Sequence, residues 1–501
     1  MDAKPALRFS VVIPTRERAD TLRFALRTCL DQTFDDYEVI VSDNFSSPAT
    51  KAVVDDAGSP RVRYVRTAGP VAMSTNWEFA VSHARGEYVL LIGDDDGLLP
   101  HALAELDALI RQTGAKAIRW AAAYYTWPNV ALAGQGDYLR LPLGRGVCER
   151  DGAEVIREVV AFREFYTALP MLYNAAVHRD VLADLRARAG RMFPHPVPDV
   201  YSGFAVAHAA GRFLSTTAPM TVSGQSGASN GIATLFNRGR SAVSDEFFAL
   251  NARDGLRSEP TVPDLPVFPH VPVADTFAFA KRTLFPESPV ELDRRALTLA
   301  CVAGARVAEA DWPAALSAVR ASLADAPELR AWFDAELAAT PYRAVPPVRL
   351  RSARAGFEDG ALHLDAAAFG VTDVAGAADL CERVLGYRRN GLKLRPETLD
   401  NGASLSELQE KEAAVQKLTA ACALLQEQLR EKEEGYGRVV RDQDARLRAQ
   451  AQEAADQRAA YQGRLADAEA RLAAAENQGV KTLLRRAAGR VAKRVLGRRA
   501  A

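Results

Sequence analysis

The sequence predicts an α/β fold for its first half, and three observations predict it. β-Branched and apolar runs of strand length alternate with helical patterns from Phe9 to Trp120. The run Tyr88–Ile92 is apolar without alternation, as in a strand covered on both faces. Polar clusters follow the strands at their carboxyl ends, the edge where open α/β sheets hold ligands.

Each element has a local reason. Phe9–Ile13 is a β-branched run that ends at Pro14, and Pro14-Thr15-Arg16-Glu17-Arg18 is a polar loop. Asp20 or Thr21 caps a helix whose apolar positions Leu22, Ala25, Leu26, Cys29 and Leu30 share one face. Tyr37–Ser42 is a second strand, closed by Asp43-Asn44. A helix near 48–57, a strand near 62–65, a helix over 76–84 and the strand 88–92 follow. This alternation predicts a parallel, doubly wound sheet with helices on both faces. Pro100 starts a helix through Ile110, and Ala117–Trp120 is a further strand.

After the strand at 88–92 come three carboxylates in a row, Asp94, Asp95 and Asp96. Adjacent acids at the mouth of a buried strand repel one another. A hard divalent cation with oxygen ligands is one compensation, and its open positions suit phosphate oxygens. A solvated acidic turn ending at Gly97 is the other reading. The first strand is followed by a proline loop, with no GxGxxG, and no GxxxxGK[ST] occurs. Dinucleotide-binding and P-loop readings therefore lose their main support.

Composition narrows the classes further. The chain of 501 residues exceeds one ordinary domain. Lys+Arg and Asp+Glu both number 63, so no bulk electrostatic partner is implied. Five scattered cysteines without a CxxC pair point to a reducing compartment. No secretory leader and no membrane-spanning run are expected.

Four ordered elements carry a resemblance: FSVVIPTRER, VSDNFSS, ARGEY and LLIGDDDGLLP. Over roughly residues 8–230 the chain resembles the family two inverting glycosyltransferases. The resemblance implies an A-type glycosyltransferase fold, a Rossmann-like doubly wound mixed sheet. It implies a nucleoside diphosphate sugar donor with Mn²⁺ or Mg²⁺. Pro14, Thr15, Arg16 and Glu17 resemble the first nucleotide-binding loop. Asp43 resembles the acid that meets the base, and Asp94–Asp96 resemble the family's DxD. Gly93 stands where the common D-x-D-D pattern has its first acid. Counted from Gly86, Asp95 then falls on the main metal ligand, whereas a plain pattern makes Asp94 and Asp96 the pair. Both assignments stay open.

Further along, residues 121–150 are expected to be glycine-rich and irregular, with Tyr124, Tyr125 and Trp127 read as core rather than as a sugar platform. Leu169–Val177 is expected as a strand, with His178 after it. Asp199 opens a helix over 200–210 from a proline-rich loop. The resemblance makes Asp199 the catalytic base; a helix cap is the competing role, and His195 is the alternative base. Residues 223–231 form a small-residue loop, either a phosphate cradle or a linker.

The remaining chain is expected to be organised separately. A proline-containing connector spans 237–290 and a mainly helical accessory region spans 291–400, after a catalytic domain over 1–236. Heptads at Leu408, Val415, Cys422 and Leu429, resuming at Leu447, Ala454 and Tyr461, predict a coiled coil over 404–478 and a homo-oligomer through it. Residues 479–501 form a basic tail with Leu483, Leu484, Ala487 and Val491 on one face, which suits an anionic membrane surface. The combined expectation is a cytoplasmic enzyme, peripheral at the inner face of the membrane. It would transfer a sugar to a glycan or lipid-linked acceptor hydroxyl in cell-surface polysaccharide or glycan assembly. The rival expectation is a non-catalytic scaffold that keeps the sugar-nucleotide fold and assembles through the coiled coil.

Overall fold

The computed structural model describes residues 7–130, 134–227, 242–263, 265, 269–305, 309–342, 356–358 and 360–386, with a few positions between 479 and 486. The chain divides into a unit over Met1–Leu394 and a second over Arg395–Ala501. The expected coiled coil and nearly all of the basic tail lie outside the described residues. Among those described, no helix is long and apolar enough to cross a membrane.

The first unit opens with β1 (Leu7–Thr15), α1 (Ala19–Leu30), β2 (Tyr37–Asp43), α2 (Pro48–Ala57), β3 (Val62–Arg66), α3 (Met73–Ser82), β4 (Gly86–Leu91), β5 (Gly97–Leu98) and α4 (Ala102–Thr113). It continues with β6 (Ala117–Thr126), β7 (Tyr138–Pro142), β8 (Val147–Asp151), α5 (Gly152–Val160), β9 (Ala175–His178), α6 (Arg179–Ala189), α7 (Pro198–Ala210) and β10 (Arg212–Gln225). Five helices follow: α8 (Ala242–Arg253), α9 (His270–Leu284), α10 (Arg294–Gly304), α11 (Trp312–Ala321) and α12 (Pro327–Glu336). β11 (Gly356–Glu358), β12 (Ala361–Asp365) and α13 (Val374–Leu385) complete it.

β3, β2, β1 and β4 are parallel neighbours in that order. The registers Thr15↔Asp43 and Asp43↔Arg66 bring their carboxyl ends level. Alternation along each strand sorts side chains to two faces. Val12, Ile40, Val89 and Leu91 pack under α3, α5 and α7. Val11, Ile13, Val39, Val41, Tyr88 and Leu90 pack under α1 and α4. Both faces are covered along the middle of β1, β2 and β4, which is why Val11-Val12-Ile13, Val39-Ile40-Val41 and Tyr88–Leu91 are apolar without alternation.

Beyond β4 the sheet departs from the parallel expectation. β9 is antiparallel to both β4 and β6, so the sheet is mixed. Residues 121–150 are irregular only in part: β6 runs on to Thr126, β7 and β8 follow, and 131–133 lie outside the described residues. Their glycines sit between strands rather than within them. β10, not expected from the sequence, lies parallel to β6 from Leu214 to Gln225, with register shifts around Pro219. The strand expected over 169–177 shrinks to Ala175–His178, because Pro170 supplies no N–H for a ladder.

The connector over 237–290 is also corrected, since it carries α8 and α9. Pro269 and Pro272 sit at the cap and first turn of α9, where a missing N–H is tolerated. β12 pairs with β7, and α13 packs Val374, Ala377, Ala378 and Cys381 against Leu99, Tyr125, Trp127 and Val222. β11 and β12 thereby extend the main sheet.

The amino-terminal ends of the parallel strands are tied by Glu38. Its carboxylate accepts from Ser10 Oγ at 2.8 Å, Arg63 Nη1 at 2.8 Å, and Arg85 Nε and Nη2 at 3.0 and 2.8 Å. Gly86 follows Arg85 closely over β1, where a Cβ would stand 2.4 Å from Ser10 N. The ARG of ARGEY is thus a strand-to-strand clamp. Burial pushes the Glu38 carboxyl up, but the Arg63 and Arg85 bonds outweigh it and hold the group below the ordinary carboxylate value. A depressed carboxyl stabilises the fold above its unfolded pKa and loses that contribution as pH falls through the folded value. Glu38→Gln should therefore lower unfolding free energy at neutral pH by about 3 kcal/mol. The gap to the unsubstituted protein should close below about pH 4 in urea titrations across pH.

Candidate active site

The level carboxyl ends place two loops side by side. After β1, Thr15 O accepts from Asn44 N at 2.9 Å and Arg16 Nη1 donates to Asn44 O at 2.8 Å. Glu17, at φ 54°, takes the left-handed conformation; its N–H donates to Ser46 Oγ and its Oε1 accepts from Ser47 N at 2.8 Å. The Pro14–Glu17 loop is thereby clipped to residues 44–47. Arg16 also reaches Glu246 on α8.

Asp43 holds the second loop. It is fully buried; Oδ1 accepts from Ser46 N at 2.7 Å, and Oδ2 accepts from Tyr64 Oη, with Arg66 at 3.6 Å. Phe45, at φ 58°, is turned outward and lies under the Arg66 guanidinium at 4.9 Å. The loop thus presents an aromatic ring and a cation beside Thr15 and Arg16.

The acid turn meets this pair of loops. Ile92 N donates to Val12 O at 3.0 Å, which carries the chain after β4 up to the level of Thr15. Thr15 Oγ1 donates to Asp94 Oδ2 at 2.7 Å. Arg18 Nη1 donates to Asp94 Oδ1 at 3.1 Å and lies 3.6 Å from Asp95 Oδ2. Ser226 Oγ donates to Asp95 Oδ2 at 2.6 Å. Gly224 N donates to Asp96 Oδ1 at 2.7 Å and Gly93 N to Asp96 Oδ2 at 2.8 Å. Trp127 Nε1 donates to Asp95 O at 3.0 Å. Only glycine fits at 224, where a Cβ would sit 1.8 Å from Asp95 O.

Among the described residues, charge in this turn is under-compensated. Burial raises the Asp94 carboxyl, Asp95 adds to the rise, and Arg18 and Thr15 offset part of it. Burial and Asp95 likewise raise Asp96 against the N–H groups of Gly224 and Gly93. Among the described residues no three acid, histidine or cysteine side chains form a closed metal cage. The donors present are carboxylate oxygens carrying excess negative charge, the chemistry that hard cations prefer. Small hard cations commonly use one or two carboxylates together with substrate phosphates.

Asp199 lies in the first turn of α7, whose cap is Val197, so Asp199 is not the cap residue. It is partly buried, and burial raises its carboxyl against the N–H groups of Val200 and Asp199 itself. Tyr173 connects it to the acid turn. Its phenol is pushed up by burial and by the charges of Asp96, Asp199, Asp95 and Asp94. Leu172 O accepts from Leu91 N and Leu172 N donates to Ser202 Oγ, which fixes Tyr173 between β4 and α7. Tyr166 also feels Asp199.

The other expected residues lie apart from these. His178 caps α6 through Nδ1 and pairs with Tyr88, toward the start of β4 and away from the acids. His195 is fully buried against Phe279 and Thr276, and burial lowers its ring to about 4. Tyr125 and Trp127 are core residues. Residues 223–226 finish β10 and its turn and spend their N–H groups on Asp95 and Asp96; 228–231 lie outside the described residues. Arg18, Tyr173, Gly224 and Ser226 were missed. Arg18 had the one available signal, a cation in the loop beside the motif; the rest come together only through folding.

Residues 10–131 match the family model described as Glycosyl transferase family 2. The chain is 36% identical over 105 residues to the GalNAc(5)-diNAcBac-PP-undecaprenol beta-1,3-glucosyltransferase of Campylobacter jejuni, across 20% of this chain and 33% of that protein. It is 33% identical over 130 residues to the uncharacterized protein y4gI of Sinorhizobium fredii, across 25% of this chain and 14% of that one. The chain thus spans a third or less of these curated relatives. Among solved structures it is similar to S. aureus TarS 1-349 in complex with UDP-GlcNAc, at 13% identity, 65% of this chain, 83% of that chain and a TM-score of 0.41, a likeness too slight to place a residue. Over residues 10–131, with each motif element at its place on the sheet, the chain is similar to the glycosyl transferase family 2 domain.

Proposed function

We propose that the protein is an inverting glycosyltransferase that moves a sugar from a nucleoside diphosphate sugar to an acceptor hydroxyl. The observation that carries this reading is the junction of Thr15, Arg18 and Asp94–Asp96 beside the Asp43 loop, within the region similar to the family 2 domain. Pro14, Thr15, Arg16 and Glu17 face the nucleotide. Asp43 completes that side, since each carboxylate oxygen keeps a second lone pair. Mn²⁺ or Mg²⁺ on Asp94, Asp95 or Asp96 would supply positive charge to the departing diphosphate.

Asp199 takes the proton of the acceptor hydroxyl as that oxygen attacks the anomeric carbon. Its raised pKa suits a base better than that of a solvated aspartate. Tyr166 and Tyr173 flank it and shape the acceptor side. An undecaprenol-linked acceptor is named for the Campylobacter relative, and a glycan or lipid-linked acceptor in surface-glycan assembly is our reading for this chain. We place the enzyme in the cytoplasm, with a catalytic domain whose core over 1–236 is completed by β11, β12 and α13, a coiled coil over 404–478 that makes a homo-oligomer, and the tail over 479–501 on anionic membrane. These last assignments rest on the sequence patterns alone.

The test of the reading is release of nucleoside diphosphate from a panel of nucleotide-sugars with Mn²⁺; no release from any donor would refute it. Asp199→Asn should cut kcat by roughly 10²–10⁴-fold with donor affinity nearly intact. The acid limb of the unsubstituted enzyme's pH profile should lie above the ordinary aspartate range, because activity needs the unprotonated carboxylate and burial raises its pKa. EDTA should abolish transfer, and Asp95→Asn should weaken diphosphate binding with it; full activity in EDTA would remove the metal role. Gly224→Ala should displace the acid turn and reduce donor affinity while the amino-terminal strands stay folded. Calorimetric donor titration beside far-ultraviolet circular dichroism would check both halves of that expectation.

A further inference from the structure

Among the described residues the positive charge nearest the acid turn belongs to Arg18, and one nitrogen serves two carboxylates. Nη1 is 3.1 Å from Asp94 Oδ1 and 3.6 Å from Asp95 Oδ2. The side chain is 15% exposed, so little water shares the task. Its backbone is fixed at the mouth of α1, where Arg18 O accepts from Leu22 N at 2.9 Å, while a long unbranched side chain leads to the acids. Arg16, the other cation of the loop, is turned to Asn44 O and Glu246 instead.

A divalent cation at Asp94 and Asp95 would compete for the same oxygens. Two positive groups a few ångströms apart in a buried site repel strongly. The guanidinium must then leave, and it needs another anion. The donor's diphosphate brings one, and a guanidinium matches phosphate oxygens with paired donors. We propose, resting on the glycosyltransferase reading above, that Arg18 is the resident counter-ion of the acid turn and is handed to the donor diphosphate when the divalent cation binds. Cation and donor then bind with positive coupling: each supplies what the other's arrival removes. Arg18 becomes a donor-binding residue in the loaded enzyme and a brake on metal binding in the empty one.

The experiment measures Mn²⁺ and nucleotide binding by calorimetry on the full chain, with UDP and GDP as probes, for the unsubstituted protein, Arg18→Gln and Arg18→Lys. Without nucleotide, Arg18→Gln should bind Mn²⁺ about tenfold more tightly, the factor carried by one charge-assisted contact. With Mn²⁺ saturating, it should bind the preferred nucleotide about tenfold more weakly. Arg18→Lys, which keeps a charge but not the fork, should fall between on both scales and covers the case in which the glutamine variant does not fold. Mn²⁺ should also raise the thermal midpoint of Arg18→Gln more than that of the unsubstituted protein. Two affinities that fall together, or an Mn²⁺ affinity that Arg18→Gln leaves unchanged, would overturn the hand-over while leaving the enzyme reading standing. No Mn²⁺ binding by any of the three, with or without nucleotide, would overturn the metal reading and the hand-over with it.

Discussion

Three adjacent carboxylates at the end of a buried strand cannot be left to water, and much of the first unit is arranged around that constraint. Burial strengthens their mutual repulsion. Donors arrive from three directions: Thr15 and Arg18 from the loop after β1, Gly93 from the turn itself, and Gly224 and Ser226 from the end of β10. The compensation is partial, as the raised Asp94 and Asp96 carboxyls show. A site that remains short of positive charge is suited to bind it.

The support for this turn reaches far along the chain. β10 can touch Asp95 and Asp96 only because it lies between β6 and β5, and a glycine is forced at 224 by that close approach. Behind β5, the ideal Cβ position of Gly97 is 3.0 Å from Val374 on α13. His101, just before α4, spans from Glu382 on α13 to Pro219 O on β10. Residues beyond 370 therefore brace a turn at 94–96. A chain cut after the matched family region would lose both β10 and α13 and leave β6 uncovered.

At the opposite edge of the sheet the polar chemistry is structural. Glu38 collects Ser10, Arg63 and Arg85, and His178 caps a helix. These charged groups neutralise one another, whereas those at the carboxyl edge do not. The contrast separates a clamp from a site better than residue type does, since both edges are rich in acids and arginines.

The sequence by itself determined the parallel strands, their helices and the loops that meet at the carboxyl edge. Those elements are local: β-branched runs, helical spacing and short turns encode them within a dozen residues, and register follows once both faces must be buried. It also carried Thr15, Arg16, Asp43 and Asp94–Asp96, because they adjoin strands whose ends could be read. Only the tertiary structure decided that the sheet is mixed, that β10 and α13 back the acid turn, that Asp43 is held by Ser46, Tyr64 and Arg66, and that Arg18 rather than Arg16 faces the acids. Each of these depends on which distant segment lands beside which, and on a side chain's choice among several partners of equal chemical merit. Pairing across more than a hundred residues leaves no periodic trace in the chain, so packing alone settles it.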